Sequence, residues 1–144
     1  MADVTGRAGY QLKRAQHALR MAMDEALREL GATTPQYAAL SALDASGPLS
    51  GADLARRCYV TPQTMNAIVV NLERNRWVER LPRAEHGRVI ETHLTTRGRS
   101  LLRRAHAAVG GVESRMVRGI AAVDRDTLIN MLRRCADNLS ATPQ

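Results

Sequence analysis

Three amide side chains, Gln63, Asn66 and Asn71, lie on or beside one face of a predicted helix in the middle of the chain. A carboxamide donates and accepts hydrogen bonds at once, which lets Gln and Asn pair with the adenine edge in the major groove of DNA. Small apolar side chains on the same face can pack against the methyl group of thymine. The alternative is a polar face that contacts only water. The candidates for base contacts are Gln63, Asn66, Ala67, Val70 and Asn71.

Arginine supplies nearly all of the positive charge, because the 21 basic residues include a single lysine, Lys13, and the formal net charge is +7. The whole excess lies in residues 56–104, and the rest of the chain is neutral in sum. Codon usage in a GC-rich genome would also favour arginine, and the two explanations do not exclude each other. A localised excess of guanidinium groups predicts a polyanionic partner, most often nucleic acid.

Hydroxyl and guanidinium groups around the amide segment are candidates for contacts to phosphates or to the minor groove. Thr61 is equally well explained as a helix cap. An exposed surface arginine is the alternative for each arginine taken singly, and Arg88 is the strongest single candidate. The full set is Arg56, Arg57, Thr61, Thr64, Arg74, Arg83 and Arg88.

Four helices are predicted before residue 76. The apolar spacing predicts the first over residues 9–30, ended by Gly31. In the second, Thr34 is expected to be the N-cap and Pro35 the first helical residue, with an end near Ser46. The third and fourth helices are closely spaced, are capped by Ser50 and Thr61, and cover about residues 51–58 and 62–75.

Two segments of alternating apolar and polar residues follow, at 77–81 and 88–94, and predict a hairpin with a short basic loop. Two adjacent helices followed by a basic hairpin are typical of a winged helix-turn-helix. The second helix of such a unit enters the major groove and the first braces it, while the wing reaches neighbouring phosphates. The predicted fold class is therefore mainly α with a small β-hairpin wing.

Two further helices are predicted at the end of the chain, one capped by Thr95 and the last capped by Asp124. Glycines weaken the longer of the two, unless they allow another helix to approach closely. The apolar faces of the first and last helices require a partner. The candidates for dimerisation are Leu12, Leu19, Leu128, Leu132 and Leu139.

Catalytic, metal and membrane functions find no support in the sequence. It has no nucleophile elbow and no glycine-rich phosphate loop, and its four histidines form no ligand motif, so we expect no enzyme activity, cofactor or metal. Cys58 follows two arginines, which could lower its pKa, or it is a small buried residue between helices. Without a membrane span, a signal peptide or a CxxC motif, the expected location is the cytoplasm.

Several short motifs, taken in their order and spacing, resemble the MarR (multiple antibiotic resistance regulator) family from about Gly9 to Leu139. They are Leu30–Tyr37, Leu54–Arg57, Val60–Met65, Leu72–Arg74, Val78–Arg80 and Leu94–Gly98. The resemblance implies one domain over residues 1–144. Residues 34–94 would form the DNA-binding lobe, and residues 9–30 and 96–139 the helical dimerisation region.

The resemblance also implies a homodimeric transcription factor, usually a repressor, on a pseudo-palindromic double-stranded DNA operator. Many such proteins release DNA when a small aromatic or anionic ligand binds. It places the ligand between the first two helices and the DNA-binding lobe, where His17, Met21 and Tyr37 are candidates. Tyr37 is equally well explained as a core residue. Other functions left open are a winged-helix protein-interaction module and a nucleoid-associated protein without sequence preference.

Two positions depart from the family pattern. The glycine usual after the recognition helix is replaced by Arg76, so we expect Asn75 to take the left-handed backbone conformation. The acidic residue usual after the proline of the wing is replaced by Arg83, which puts the orientation of the wing in question. Arg88 keeps the arginine expected near the tip.

Overall fold

The computed structural model describes residues 3–141, which fall into two compact units divided after Val112. The chain is mainly helical with one small sheet, which confirms the predicted fold class. The helices are α1 (Ala8–Arg28), α2 (Thr34–Ser46), α3 (Gly51–Arg57), α4 (Pro62–Arg74), α5 (Thr96–Met116) and α6 (Ala122–Ser140), and the strands are β1 (Leu49–Ser50), β2 (Val78–Pro82) and β3 (Ile90–Leu94).

The sheet has three antiparallel strands in the order β1-β3-β2, so β3 is the central strand. The register of the hairpin runs from Val78 opposite Leu94 to Pro82 opposite Ile90. The strand β1 was not predicted, because two residues are too short to show an alternating pattern. It pairs Leu49 with Thr92 and so ties the connection before α3 to the wing.

The core of the first unit is aliphatic. It draws on α1 to α5, and the indole of Trp77 is 7% exposed within it. Burial of each large aliphatic side chain stabilises the fold by about 1.5–3 kcal/mol. In the second unit, by contrast, α6 buries none of its residues. The largest fully buried side chains are Leu27, Leu40, Leu54, Met65, Leu72 and Leu102.

The N-cap of α2 is Thr33, so the prediction of Thr34 was wrong by one residue. The Thr33 hydroxyl accepts a hydrogen bond from the Gln36 N–H at 3.3 Å, and Gln36 Oε1 accepts from the Thr33 N–H at 3.0 Å. This capping box satisfies two helix-end groups at once, which Thr34 could not do. Thr34 instead donates to Asp24 of α1 at 2.5 Å, and this bond lowers the pKa of Asp24.

Three other caps were predicted correctly, and one was not. The hydroxyls of Ser50 and Thr61 accept hydrogen bonds from the backbone at the starts of α3 and α4. Thr95 accepts from the Gly98 N–H at 3.0 Å at the start of α5. For α6 the N-cap is Ala121, and Asp124 lies in the first turn, where a carboxylate still favours the helix dipole.

The end of α4 follows a Schellman motif, and it corrects the prediction for Asn75. Asn75 has a right-handed φ of −79°, and Arg76 has the left-handed φ of +61°. The Arg76 N–H donates to the Glu73 carbonyl at 2.9 Å, and the Trp77 N–H donates to the Leu72 carbonyl at 3.0 Å. This pattern requires the left-handed residue to be the one immediately before Trp77. That residue is Arg76, and Asn75 remains right-handed although asparagine tolerates the left-handed conformation.

Gly98 on α5 lies against the backbone of Trp77, which follows the end of α4. A Cβ atom at this position would collide with the carbonyl group of Trp77. The same carbonyl accepts a hydrogen bond from the Thr95 N–H at 3.1 Å, so it has little freedom to move away. Gly98 therefore has a packing role. At Gly110, in the same helix, nothing lies within 4 Å of an added Cβ.

We expect Arg76→Gly to raise the free energy of unfolding by about 0.5–1 kcal/mol, because glycine adopts a positive φ without steric cost. The control is Arg74→Gly, which removes an arginine two residues earlier but within the helix, and should destabilise. Urea denaturation of both variants measures the difference. If Arg76→Gly is no more stable than the wild type, backbone strain at this position is refuted.

We expect Gly98→Ala to lower the free energy of unfolding by about 2 kcal/mol, because the added methyl group must displace the Trp77 backbone. The same substitution at Gly110 should stabilise by up to about 1 kcal/mol, since alanine is the better helix former and the position is open. Thermal and urea denaturation compare the two. Equal effects at the two glycines would contradict the packing role of Gly98.

Candidate nucleic-acid interface

Helix α4 buries one face and leaves the opposite face exposed. Met65, Val69 and Leu72 lie in the core, as the helical spacing predicted. Because this stripe is fixed by packing, the other face of the helix must lie toward solvent. All five side chains predicted to contact bases are exposed there, together with Arg74: Gln63, Asn66, Ala67, Val70 and Asn71.

The N-terminus of α4 presents two hydroxyl groups. Thr61 accepts from the Thr64 N–H at 3.1 Å and lies 3.0 Å from the Thr64 hydroxyl. Thr61 is thus a helix cap, the alternative that the sequence left open. Both threonines are exposed at a helix end whose dipole favours anions such as phosphate.

The arginines of α3 are both exposed, and they differ in their partners. Arg56 forms an ion pair with Asp53 one turn earlier. The pKa of Asp53 is lowered, first by the hydrogen bond from Ser50 and then by Arg56. No ion pair of Arg57 is found within residues 3–141. An exposed pair of this kind is weak, so Arg56 can exchange its partner for a phosphate.

Two of the three amides are already engaged by arginines. Arg80 on β2 donates to Asn66 Oδ1 at 3.2 Å, and Arg74 donates to Asn71 Oδ1 at 3.1 Å. Within the described chain, Gln63 forms no side-chain hydrogen bond. Pairing with adenine would use both polar atoms of the amide. Among the three predicted amides, only Gln63 has no side-chain partner in the part of the chain that the structure describes.

Arg80 connects the wing to the recognition helix, and the sequence did not single it out. Besides Asn66, Arg80 contacts Glu73. The Nε atom of Arg80 lies 2.7 Å from Oε1 of Glu73, which makes an ion pair but not a hydrogen bond, because the angle is unfavourable. The contact could not be predicted from the sequence, because β2 packs against α4 only in the folded sheet. The alternation of apolar and polar residues along β2 could have indicated only the face of the strand on which Arg80 lies. Its side chain is 30% exposed.

An ion pair connects the loop of the wing to strand β3. Arg83 Nε lies 3.3 Å from Glu91 Oε1 on β3, and the Arg83 N–H donates to the Val89 carbonyl at 2.7 Å. Arg83, the departure from the family pattern, therefore helps to close the loop. Arg88 is exposed within the loop, as a phosphate or minor-groove contact requires.

A concavity of about 200 Å³ lies between α3, α4 and the wing. Its polar lining includes Asn66, Arg80 and Thr92, and its apolar lining includes Met65 and Ile90. A guanidinium group beside apolar walls is suited to a small organic anion.

Of the three residues predicted to line a ligand pocket, only Tyr37 is partly buried. His17 and Met21 lie exposed on α1. Tyr37 packs partly against the core, and its hydroxyl lies 2.8 Å from Nδ1 of His106, with the two rings edge to face at 5.4 Å. His106 was not assigned to this group from the sequence, because 69 residues separate it from Tyr37.

Cys58 is half-buried against the core, and burial raises the pKa of its thiol. The suggestion that Arg56 and Arg57 lower this pKa was wrong, because their side chains point into solvent while the thiol is desolvated. Among residues 3–141, no cluster of metal-ligating side chains is found. None of the helices described is long and apolar enough to cross a membrane.

Four of the five residues predicted to dimerise have exposed side chains. Leu12 on α1 is 50% exposed, and Leu19 is half-buried. On α6 the exposed apolar side chains include Leu128, Leu132 and Leu139. In each helix these residues stand in contact with solvent, which is unfavourable for leucine.

Comparison with known proteins shows the family of this chain. The family model of the MarR family matches residues 30–89. The HTH-type transcriptional repressor Rv2887 of Mycobacterium tuberculosis is 37% identical over 126 residues, which are 88% of this chain and 91% of that protein. The chain belongs to the MarR family.

Solved structures of this family extend the match to three dimensions. The M. tuberculosis MarR family protein Rv2887 in complex with DNA has a TM-score of 0.75 at 35% identity, and the match covers 90% of this chain and 98% of that one. Rv2887 has also been solved in complex with salicylic acid, at a TM-score of 0.74 and 36% identity over 90% and 96% of the two chains. Bordetella bronchiseptica BpsR shares the fold, with a TM-score of 0.87 at 18% identity over 95% and 98%.

In this MarR-family chain we expect Gln63→Ala and Arg88→Ala to weaken DNA binding in different ways. Loss of the amide should reduce discrimination at one or two base pairs by about 1–3 kcal/mol. Loss of the arginine should weaken binding to all sequences and reduce the slope of log K against log salt by about 1. Fluorescence anisotropy with specific and scrambled duplexes measures both, and a uniform loss for Gln63→Ala would reject its contact to a base.

Proposed function

We propose that this protein is a transcriptional repressor that binds a pseudo-palindromic double-stranded DNA operator as a homodimer and leaves it when a small aromatic or anionic ligand binds. The observation that carries the proposal is the exposed face of α4, which holds all five predicted base-contact residues beside a basic wing. The DNA complex of Rv2887 supports it, because that protein is similar over nearly the whole chain.

The homodimer accounts for the apolar surface of α1 and α6. Packing against the same helices of a second copy would bury Leu12, Leu128 and Leu132, which the chain leaves exposed. Residues 9–30 and 96–139 would then form the dimerisation region, and residues 34–94 the DNA-binding lobe. A dimer carries two α4 helices related by a two-fold axis, which suits an operator of two inverted half-sites.

The effector site is best supported at the concavity between α4 and the wing. The carboxylate of an aromatic acid would pair with Arg80, compete with Glu73 and withdraw Arg80 from Asn66, which alters the face presented to DNA. The salicylic acid complex of Rv2887 supports this class of ligand. The second candidate site is the pair of Tyr37 and His106, with His17 and Met21 as the other predicted lining residues.

We place the protein in the cytoplasm, with reduced thiols, no cofactor and no catalytic role, because its family is one of transcriptional regulators. The exposed Cys135 and the half-buried Cys58 are both free thiols.

Selection from a random-sequence duplex library tests the proposed function. The expected result is enrichment of an inverted repeat whose half-sites are about one helical turn apart. Equal binding to all duplexes would instead support a nucleoid-associated protein. Absence of DNA binding at low salt would leave a protein-interaction module, and either result contradicts the repressor.

Salicylate should raise the melting temperature and lower the affinity for the selected duplex, because a ligand that binds the folded state stabilises it by mass action. At ten times its Kd the gain is about 1.4 kcal/mol. We expect Arg80→Gln to lose the thermal shift and Tyr37→Phe to keep it. The reverse pattern would move the effector to the second candidate site, and a wild type without a thermal shift would contradict salicylate as an effector.

A further inference from the structure

Tyr59 combines an exposed aromatic side chain with a strained backbone. It is 96% exposed and has a φ of +57°, in the turn between α3 and α4. A residue with a Cβ atom in this conformation costs on the order of 1 kcal/mol relative to glycine. Neither the exposure nor the conformation favours tyrosine for folding.

The turn itself explains the conformation without explaining the side chain. The Tyr59 N–H donates to the Arg56 carbonyl at 3.2 Å, and the Val60 N–H donates to the Ala55 carbonyl at 3.1 Å. These two bonds form a Schellman motif, which requires one left-handed residue at Tyr59. In the corresponding turn after α1 the left-handed residue is Gly31, with φ +71°, so glycine would serve equally well between α3 and α4.

The position of Tyr59 suggests where its side chain is used. It lies two residues before Thr61, the N-cap of α4, and two residues after Arg57, at the basic end of α3. Within residues 3–141 its hydroxyl has no hydrogen-bond partner and its ring joins no core contact. The hydroxyl is therefore a donor at the edge of the surface that approaches the DNA backbone, since phosphates flank the groove that a recognition helix enters.

We propose that Tyr59 is a DNA-backbone contact, whose hydroxyl donates a hydrogen bond to a phosphate oxygen at the edge of the major groove entered by α4. This inference rests on the proposed function. The contact would position the N-terminus of α4 over the bases and would carry no sequence information, because every nucleotide offers the same phosphate. The gain in binding offsets the strain that the free chain retains.

The test compares Tyr59→Phe with the wild type on the duplex enriched by the wild-type protein and on a scrambled duplex. Phenylalanine keeps the ring and the β-carbon, so the melting temperature should not change. The affinity should fall about tenfold on both duplexes, which corresponds to a hydrogen bond to a charged acceptor. The salt slope should stay the same, because no cation is removed. Tyr10→Phe, at an exposed tyrosine on α1, is the matched control and should bind like the wild type.

Tyr59→Gly separates the effect of the backbone conformation from the effect of the side chain. It should raise the melting temperature by about 2–4 °C through relief of strain and should lower the affinity at least as much as Tyr59→Phe does. If Tyr59→Phe binds both duplexes as tightly as the wild type, the proposal is overturned while the repressor function stands. If the wild type enriches no duplex, the proposed function fails first. A loss confined to the enriched duplex would also overturn a backbone contact.

Discussion

The backbone of Trp77 connects the parts of the DNA-binding lobe. Its N–H reaches the Leu72 carbonyl at the end of α4, and its carbonyl accepts from Thr95 at the start of α5 and lies against Gly98. The next residue begins β2. One buried residue thus joins the recognition helix, the wing and α5. Its N–H also completes the Schellman motif in which Arg76 has the left-handed conformation.

Given this connection, packing decides which side chains of α4 are exposed to solvent. The buried stripe of α4 fixes the rotation of the helix, and β2 brings Arg80 against the same helix. Arg80 contacts Asn66 and Glu73. Some polar groups of the candidate interface are therefore already paired with one another in the free chain. Arg80 thereby connects the wing with Asn66 of α4 and with the adjacent concavity. A ligand that paired with Arg80 would therefore change the partner of Asn66, one of the candidate base contacts.

Much of this arrangement follows from sequence patterns with a direct physical basis. The apolar period of α4 predicted its buried stripe, and Ser50 and Thr61 marked the helix starts through their capping hydroxyls. Features that depend on tertiary contacts were not predictable in this way. The strand β1 forms because it can pair with the edge of β3. Thr33 is the cap instead of Thr34 because Gln36 completes the capping box. Arg80 contacts Asn66 only because the folded sheet brings β2 against α4.

Hydroxyl-radical footprinting on the enriched duplex tests the central claim most directly, since it reports where two copies of α4 lie on DNA. We expect two protected regions related by a two-fold axis, with centres about 10 base pairs apart and with the major groove of each facing the protein. A single protected region, or continuous protection along the duplex without a two-fold axis, would contradict it.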